Sequence, residues 1–468
     1  MKSIKLLILT VLVLKASIFA GPIQLEEIMH IDVPWLGYSF SKMISEGSGD
    51  LNGDGYSDFV LSKNSSDYGG VSNEGVLMLY MGKMYPTPEP DFILSGEGED
   101  RLGVVVAISD INGDSFDDLI IGVPFCEPYS NGKVLIYFGK EDFNLDTPDH
   151  ILYGYNYTNM NPVTLQFGSY LSASYDYNGD GFKDLVIGSA GPSMAFYGEV
   201  NLFLGGDPFD LETDFTVCGE NTLDGYGVTL GGDINGDGFD DLFIAHSDHV
   251  VTVDNFLDLY PGGSDFPPKE PLWVSTLNSF GLSNSSFITF SNYINSDRDR
   301  MLARERYGKC ILIIEFDHNY HVSRVDSIPY SMNRVNVSKI FTEDINGDNK
   351  QDLISCFTCN IYPDYVGSVI VYYGGAEVDT IPDVVMHGDN YSEYFGATGY
   401  SLGDINGDGN ADIMLGSEYP YDLQTTNYAK ILTIKNDVYV SERSEDFQIA
   451  IKNYPNPFNP ETIIELKG

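Results

Sequence analysis

The apolar positions of this chain fall in short runs that are separated by turns rich in Gly, Pro, Asn and Asp. The run DLIIG at 118–122 shows the pattern, and DLVIG at 184–188 and DLFIA at 241–245 repeat it further along the chain. Short runs of β-branched and aromatic residues between such turns predict β-strands. Runs of other types, such as VLIYFG at 134–139 and DFILSG at 91–96, bring the prediction to four strands in each stretch of about 60 residues.

A nine-residue polar pattern stands between the first two predicted strands of most stretches. The first copy is DLNGDGYSD at 50–58, and further copies start at Asp110, Asp176, Asp233, Asp344 and Asp404. Side chains with oxygen atoms occupy positions 1, 3, 5 and 9 of each copy. The copies recur at intervals of about 60 residues, with one double interval between the fourth and the fifth. A near-constant period of this kind indicates a repeat architecture.

The double interval contains a decayed copy, which we align from Tyr293 at position 1 to Met301 at position 9. The carboxylates of positions 1 and 9 are both lost in this alignment, so we expect this copy to bind no metal. Seven repeats of four strands predict an all-β fold, a seven-bladed β-propeller of four-stranded blades. The last repeat lacks a clear fourth strand, whereas residues 25–32 resemble one. We therefore expect the start of the chain to form the outer strand of the seventh blade and to close the ring.

The nine-residue pattern predicts calcium-binding hairpin loops. Carboxylates about 4 Å apart repel by several kcal/mol even at an effective dielectric of about 20, and a cation makes their arrangement favourable. Carboxylate and amide oxygens suit calcium, and the backbone carbonyl of position 7 would add a further ligand. The predicted ligands of about six Ca²⁺ sites are Asp50, Asn52, Asp54, Tyr56 and Asp58; Asp110, Asn112, Asp114, Phe116 and Asp118; Asp176, Asn178, Asp180, Phe182 and Asp184; Asp233, Asn235, Asp237, Phe239 and Asp241; Asp344, Asn346, Asp348, Lys350 and Asp352; and Asp404, Asn406, Asp408, Asn410 and Asp412.

Position 6 makes the sharp turn of the loop and is Gly in four copies, but Ser115 in the second copy and Asn349 in the fifth. Asn tolerates a left-handed backbone better than Ser, so we expect the loop with Ser115 to bind calcium most weakly. An EF-hand would place Glu at position 12 between helices, whereas these loops are flanked by predicted strands. The alternative is that the loops are metal-free Asx turns. The repetition of the pattern in six copies favours calcium.

Aromatic–Gly pairs begin most repeats. These pairs are Phe167-Gly168, Tyr226-Gly227, Phe280-Gly281 and Phe395-Gly396, with Leu102-Gly103 as a looser case. Together with the Asp/Asn loop and the GVP at 122–124, they resemble FG-GAP repeats over about residues 24–435. The resemblance implies the seven-bladed propeller found at the head of integrin α chains and in many bacterial surface proteins, with calcium in the loops between the first two strands of a blade. We find no match to the leg domains or membrane anchor of an integrin, so integrin pairing and signalling are not implied.

The first residues indicate an exported protein, and the charge argues against binding to nucleic acid or anionic membranes. The formal net charge is −44 at pH 7, which should repel nucleic acid and anionic membranes. Residues 1–20 resemble a secretory signal peptide, because Lys2 and Lys5 precede a short apolar stretch and Ala20 is a plausible cleavage edge. No later segment is apolar enough to predict a membrane-spanning helix. We therefore expect a secreted or cell-surface protein.

The repeat pattern stops near residue 435, and we assign residues 21–435 to the propeller, 436–452 to a linker and 453–468 to a truncated sorting domain. The string YPNPFNP at 454–460 resembles the opening of the C-terminal sorting domain of the type IX secretion system, which implies the machinery of that system as a partner. The sorting domain normally continues for several more strands, so either the sequence is truncated or the signal is broken. The alternative is a Pro-rich tail with no role in export.

Motifs that carry catalytic chemistry do not occur in the sequence: we find no nucleophile elbow, no HExxH and no phosphate-binding loop. His246 and His249 form the one close His pair, and we expect them to be solvated loop residues. The CxxC at Cys356 and Cys359 predicts a local disulfide or two plain thiols rather than redox chemistry, because it follows a strand and precedes no helix pattern.

Four arginines of the decayed repeat stand out in an acidic chain: Arg298, Arg300, Arg304 and Arg306. They could replace the lost cation and pair with nearby Asp residues, or they could form an anion site for a uronate-bearing polysaccharide. We predict a non-catalytic, calcium-rigidified propeller that binds an extracellular protein or glycan through loops opposite the calcium loops. The alternative is a calcium-dependent extracellular polysaccharide lyase or hydrolase built on a propeller.

Overall fold

The computed structural model describes residues 24–33, 48–63, 74–126, 131–154, 166–189, 198–218, 225–247, 255–266, 270–276, 288–293, 298–305, 310–329, 335–359, 366–389, 394–417 and 427–435. The predicted signal peptide at 1–20, the linker and the sorting segment lie outside these residues. Within them, no helix is long and apolar enough to cross a membrane.

Strands make up nearly all the regular structure of the described residues. In chain order they are β1 (Gln24–Val33), β2 (Ser48–Gly49), β3 (Asp58–Lys63), β4 (Val76–Tyr80), β5 (Phe92–Ser95), β6 (Val106–Ser109), β7 (Asp118–Val123), β8 (Lys133–Tyr137), β9 (His150–Tyr153), β10 (Phe167–Tyr175), β11 (Asp184–Ser189), β12 (Glu199–Phe203), β13 (Phe215–Cys218), β14 (Gly225–Gly232), β15 (Asp241–Ser247), β16 (Asn255–Tyr260), β17 (Trp273–Thr276), β18 (Ile288–Ser291), β19 (Arg300–Arg304), β20 (Cys310–Phe316), β21 (Val322–Pro329), β22 (Val335–Glu343), β23 (Asp352–Cys359), β24 (Ser368–Tyr372), β25 (Val384–His387), β26 (Thr398–Gly403), β27 (Asp412–Gly416) and β28 (Asn427–Lys435).

The strands form seven antiparallel four-stranded sheets, and each sheet is one blade of a propeller. Blades 1 to 6 consist of β2–β5, β6–β9, β10–β13, β14–β17, β18–β21 and β22–β25, and blade 7 has the order β26, β27, β28, β1. The first strand of each blade packs beside the first strand of the next, and β26 packs beside β2, so the ring is closed. The predicted fold, an all-β seven-bladed propeller of four-stranded blades, is confirmed.

The core lies between neighbouring blades. The second strand of blade 2 is buried along its whole length, whereas the fourth strand, β9, is mostly exposed at the rim. Apolar residues of β7 and β8 pack with those of blade 1 on one side and of blade 3 on the other. Strands buried on both faces require continuous apolar runs rather than alternation, which explains runs such as DLIIG.

Ring closure depends on β1, which pairs with β28 from Gln24 opposite Lys435 to Val33 opposite Asn427. Met29 and Ile31 of this strand are buried in the core between blade 7 and blade 1. This confirms the prediction that the start of the chain forms the outer strand of the last blade. The first strand of a ring thus completes the sheet begun by its last repeat.

Antiparallel strand order puts the connections of all blades on two opposite faces. The nine-residue loops join first to second strands, so all of them lie on one face, which we call the Asp-loop face, together with the connections from third to fourth strands. The remaining connections lie on the opposite face. Most of those opposite connections fall outside the described residues.

Candidate metal centres

The loop of blade 4 shows how positions 1, 3 and 5 are arranged. Asp233 at position 1 accepts hydrogen bonds from the backbone N–H groups of Gly236 (2.7 Å), Asp237 (3.1 Å) and Gly238 (2.9 Å). Asn235 Oδ1 accepts from the N–H of Asp237 at 2.9 Å, and Asp237 Oδ1 accepts from the N–H of Phe239 at 3.1 Å. The loop of blade 1 repeats these bonds at positions 1, 3 and 5. Each loop is thus a series of Asx-type turns closed by the carboxylate of position 1.

Position 9 is the first residue of the second strand, and its carboxylate is fully buried. In blade 4, Asp241 Oδ2 accepts from the N–H of Ile234 at 3.2 Å, and Oδ1 accepts from the N–H of Gly262 at 3.0 Å. The carboxylate therefore ties the loop to the turn that follows the third strand. The equivalent residues, which accept the same loop N–H, are Asp58, Asp118, Asp184, Asp352 and Asp412.

Burial raises the pKa of the position 9 carboxyl groups. It brings the pKa of Asp58, Asp118, Asp184, Asp241 and Asp352 to about 7, and that of Asp412 to about 8. Hydrogen-bond donors, two of them backbone N–H groups in all but Asp412, lower the pKa only in part, and in most of the loops the carboxylates of positions 1 and 5 raise it further. The ionised form therefore lacks a compensating positive charge, which is the condition that a bound cation would correct.

The backbone of the loops is left-handed at two positions. At position 6, φ is 87° for Gly55, 75° for Ser115 and 62° for Asn349, so the strain expected at Ser115 is present. Position 4 also has positive φ, as in Gly53 at 72°. Gly occupies position 4 in all six copies of the pattern. The predicted ligand pattern makes no use of this second Gly. Its recurrence in the sequence nevertheless indicates a left-handed turn at position 4.

The chemistry of the donor set fits a hard cation. Each loop offers three carboxylates and one amide oxygen within nine residues, and the oxygens that accept one hydrogen bond, such as Asp233 Oδ2, keep a second lone pair. The side-chain donors that reach them include the amide of Asn52, 3.0 Å from Asp54, and the ammonium of Lys350, 2.9 Å from Asp348. Among the described residues, however, no three His, Cys, Asp or Glu side chains converge as closely as a metal site requires. The structure thus places the predicted ligands in one loop without gathering them on one point.

Blade 5 corrects the predicted alignment of the decayed repeat. Ser291 pairs with Arg300 across the hairpin, as Gly232 pairs with Asp241 in blade 4. Arg300, and not Met301, therefore occupies position 9, and Tyr293 occupies the buried position 2. Arg300 is 7% exposed and donates to the carbonyl of Tyr293 at 3.0 Å and to Glu315 Oε2 at 3.1 Å. A cationic side chain stands where the other six blades have a buried carboxylate.

The arginines of this repeat do not form one cluster. Arg298 donates to the carbonyl of Phe316 at 2.9 Å on the Asp-loop face. Arg304 lies at the other end of β19 and donates to the carbonyl of Val337 at 3.4 Å. Arg306 lies outside the described residues. The structure therefore does not gather the described arginines into an anion site, and Arg300 makes an ion pair with Glu315 at 3.1 Å.

The cysteine and histidine motifs contribute no metal site that the structure describes. Cys356 is a free thiol in the core, and burial raises its pKa to about 12, so its thiolate is scarcely populated at neutral pH. This favours plain thiols over a local disulfide. The side chains of Cys359 and His246, and all of His249, lie outside the described residues.

A second set of aspartates stabilises the blades without having been assigned a role from the sequence. Asp149 precedes the fourth strand of blade 2, and its Oδ2 accepts from the N–H of Phe138 at 2.9 Å. Asp91, Asp214 and Asp383 make the same bond in blades 1, 3 and 6. The sequence did carry a signal for this role, because an Asp opens the run DFILSG at 91–96 and the equivalent runs of the other blades. Part of the large negative charge is therefore structural.

Fold and loops together define the class of protein: a seven-bladed β-propeller with Asp/Asn-rich hairpin loops. The family model described as FG-GAP repeat matches residues 102–137, which span the loop and three strands of blade 2. The chain is 30% identical to integrin alpha-PS5 of Drosophila melanogaster over 164 residues, which cover 35% of this chain and 16% of that protein. It is 29% identical to integrin alpha-5 of Xenopus laevis over 163 residues, covering 34% of this chain and 15% of that protein.

A similar stretch occurs outside the integrins. The chain is 33% identical to phosphatidylinositol-glycan-specific phospholipase D of Rattus norvegicus over 161 residues, which cover 31% of this chain and 18% of that protein. In each of these three comparisons the matched region spans less than a fifth of the relative's length. The chain is therefore a seven-bladed propeller that carries a match to the FG-GAP repeat in blade 2 and is similar to integrin α chains over part of their length.

Proposed function

We propose that this protein is a calcium-binding adhesion module of the cell surface or the extracellular medium. The observation that carries the proposal is the pattern of charge at position 9. Six blades bury an Asp there, and the one blade that has lost this Asp buries Arg300 instead. The site is consistent with a need for positive charge that a divalent cation supplies in six blades and a guanidinium supplies in the seventh.

In each of the six loops, the ligands would be the side chains of positions 1, 3, 5 and 9 and the backbone carbonyl of position 7. Calcium, when bound, supplies two positive charges to a group of three carboxylates. The protein's own part is to hold these donors in place. In five of the loops two N–H groups fix the carboxylate of position 9, one in the loop and one in the turn after the third strand, and the Asx-type turns fix positions 1, 3 and 5. Bound cations would therefore rigidify the whole Asp-loop face.

The ligand of the module would be an extracellular protein or glycan that contacts the face opposite the Asp loops. That face carries the connections from each blade to the next, and such loops on a rigid scaffold are the usual place for binding residues. Similarity to integrin α chains supports this role. We also propose the following domains: a signal peptide at 1–20, the propeller at 21–435, a linker at 436–452 and a type IX sorting segment at 453–468.

Calcium titration of the metal-stripped protein tests the proposal. Calorimetry should show six bound ions, and the melting temperature should rise with calcium, because a ligand that binds only the folded state stabilises it. Asp233→Asn should remove one ion, whereas Asp146→Asn, an exposed position outside the loops, should remove none. Absence of calcium binding would overturn the metal assignment.

The adhesion role is tested separately on arrays of extracellular matrix proteins and glycans. The calcium-loaded protein should bind a defined subset, and the same protein after calcium removal should bind it less. If the folded, calcium-loaded protein binds no defined subset of the array components, its role as a binding module would be contradicted.

A further inference from the structure

We propose that the six calcium loops form one cooperative array, coupled by the side chain of position 7 and running from blade 6 through blades 7, 1, 2 and 3 to blade 4. This inference rests on the proposed calcium binding. It concerns how the loops communicate rather than whether they bind. Three kinds of contact between neighbouring blades carry it.

The first contact joins position 7 of one loop to position 4 of the preceding loop. Phe116 of blade 2 lies against Gly53 of blade 1, where a methyl group added to the glycine would be 2.5 Å from the ring. Tyr56 of blade 1 lies in the same way against Gly407 of blade 7, also at 2.5 Å. The same arrangement links Phe182 to Gly113, Phe239 to Gly179, and Asn410 to Gly347. Five successive contacts thus connect the six loops.

The second contact fixes the backbone of position 1. The N–H of Asp117, at position 8 of blade 2, donates to the carbonyl of Asp50 in blade 1 at 3.1 Å, and Asp117 Oδ2 accepts from the N–H of Asp50 at 2.7 Å. Asp240 and Asp176 repeat both bonds between blades 4 and 3. Position 1 is a proposed ligand, so the next blade holds the backbone of a ligand in the preceding loop.

The third contact fixes position 2. The N–H that follows the third strand of the next blade donates to its carbonyl, as Lys140 does to Leu51 at 2.9 Å and Gly263 does to Tyr177 at 2.9 Å. Lys83 bonds to Ile405 of blade 7 at 2.9 Å, so the contact also crosses the closure of the ring. Each loop is therefore held by its own blade and by the next one.

These contacts give the coupling a path between neighbouring loops and a physical cause. Residue 7 offers its carbonyl to the ion of its own loop, while its side chain presses on the left-handed glycine of the preceding loop. Ordering one loop therefore removes conformational freedom from the preceding loop. That loop then loses less conformational entropy when it binds its own ion. Coupling of this kind commonly changes affinity by about 5-fold to 150-fold.

The array ends at blade 5. Its loop has Arg298 where the other loops have an aromatic residue, Lys or Asn at position 7, and Arg300 where they have the buried Asp. Blade 5 still supports blade 4, since Tyr320 donates its hydroxyl to Asp241 Oδ1 at 3.0 Å. That support does not depend on calcium, because blade 5 has no carboxylate at position 9 that could bind a cation. The array is consequently a line of six sites rather than a closed ring.

Asp110→Asn tests the coupling with calcium alone. The substitution keeps the shape of the side chain but weakens the site of blade 2. If the loops are coupled, the ion of blade 1 should bind roughly 5-fold or more weakly, as neighbouring sites in a coupled array do. If they are independent, one ion is lost and the other five bind as before, which would overturn the inference while leaving the calcium assignment intact.

Phe116→Ala gives a second test that alters no proposed ligand atom, because position 7 would bind through its carbonyl. Six ions should still bind, but the titration should become less steep and the mean affinity should fall. Tyr85→Ala, an 80% exposed side chain on the same face, is the matched control and should change neither. Unchanged steepness in Phe116→Ala, with six ions bound, would contradict the coupling. Absence of any calcium binding in the unmodified protein would instead contradict the proposed function.

Discussion

Arg300 occupies in blade 5 the position that Asp241 occupies in blade 4. Both are the first residue of a second strand, both are buried, and each pairs across its hairpin with the last residue of the first strand. The residue before each one, Asp299 or Asp240, makes the same pair of bonds to the preceding blade. The inversion of charge is therefore a property of one site in a common frame. At this position, blade 5 differs from its neighbours in the sign of the buried charge.

Arg300→Met should destabilise the protein by about 1–3 kcal/mol, because it removes the ion pair to Glu315 and leaves the carbonyl of Tyr293 without this donor. Urea unfolding in the absence of calcium measures this free energy. The matched control is Arg324→Met in the same blade, which removes a 52% exposed side chain and should cost less than about 1 kcal/mol. Equal effects of the two substitutions would show that Arg300 does not compensate a buried charge.

Sequence patterns predicted the blades better than they predicted the decayed loop. Runs such as DLIIG are buried on both faces, and the closing strand was recognisable because residues 25–32 look like the missing fourth strand. The alignment of Tyr293 failed because the string that follows it resembles the loop. Only packing shows that its ring fills the buried position 2. The register of a strand depends on which side chain is buried, and a single sequence does not state this for a degenerate loop.

The inter-loop contacts were beyond sequence reasoning for a related reason. Gly53 and Phe116 are far apart in the chain, and each has a sufficient local explanation, one as a turn residue and the other as a loop residue. Their contact exists because adjacent blades place equivalent loops side by side. Repeat proteins hold such contacts between neighbouring units, and the sequence of one unit does not show them.

Ser115→Gly should stabilise the loop of blade 2. Ser115 has φ of 75°, and the left-handed backbone costs a residue other than Gly roughly 1–2 kcal/mol. We expect a higher melting temperature without calcium and a stronger calcium site in this loop. Gly55→Ala is the reciprocal variant: a methyl group there would meet nothing within 4 Å, so its cost comes from the backbone alone. If Ser115→Gly lowers the melting temperature, the strain assigned to this position is not real.

Ile31→Ala should weaken the closure of the ring. Ile31 is 3% exposed in the closing strand, and truncating a buried Ile to Ala usually costs about 2–5 kcal/mol. Hydrogen exchange should show faster exchange in β28, the partner of this strand, because the rim of blade 7 would open locally. Asp32→Ala is the control on the same strand, since its side chain is 72% exposed, and it should leave the exchange of β28 unchanged. Equal exchange in both variants would mean that β1 is not needed to hold the ring.

The six buried carboxyl groups of position 9 should give the protein opposite responses to pH with and without calcium. Their pKa values in the folded state are about 7 or 8, well above the value of 3.8 for an exposed Asp, because burial disfavours the charged form. In the calcium-free protein the folded state therefore holds protons that the unfolded state has released. Its stability should fall as the pH rises from about 4 to about 8.

Calcium should reverse this trend, since it binds the ionised carboxylates and must displace their protons. Between about pH 6 and pH 8 the calcium-saturated protein should hold or gain stability while the calcium-free protein loses it, and the calcium concentration at half-saturation should fall. Melting curves in calcium and in chelator, at the same ionic strength, measure both trends. Asp412→Asn removes the carboxyl group whose pKa is raised most, so the calcium-free variant should lose less stability across this range. Parallel pH profiles in calcium and in chelator would show that the position 9 carboxylates do not face the cation.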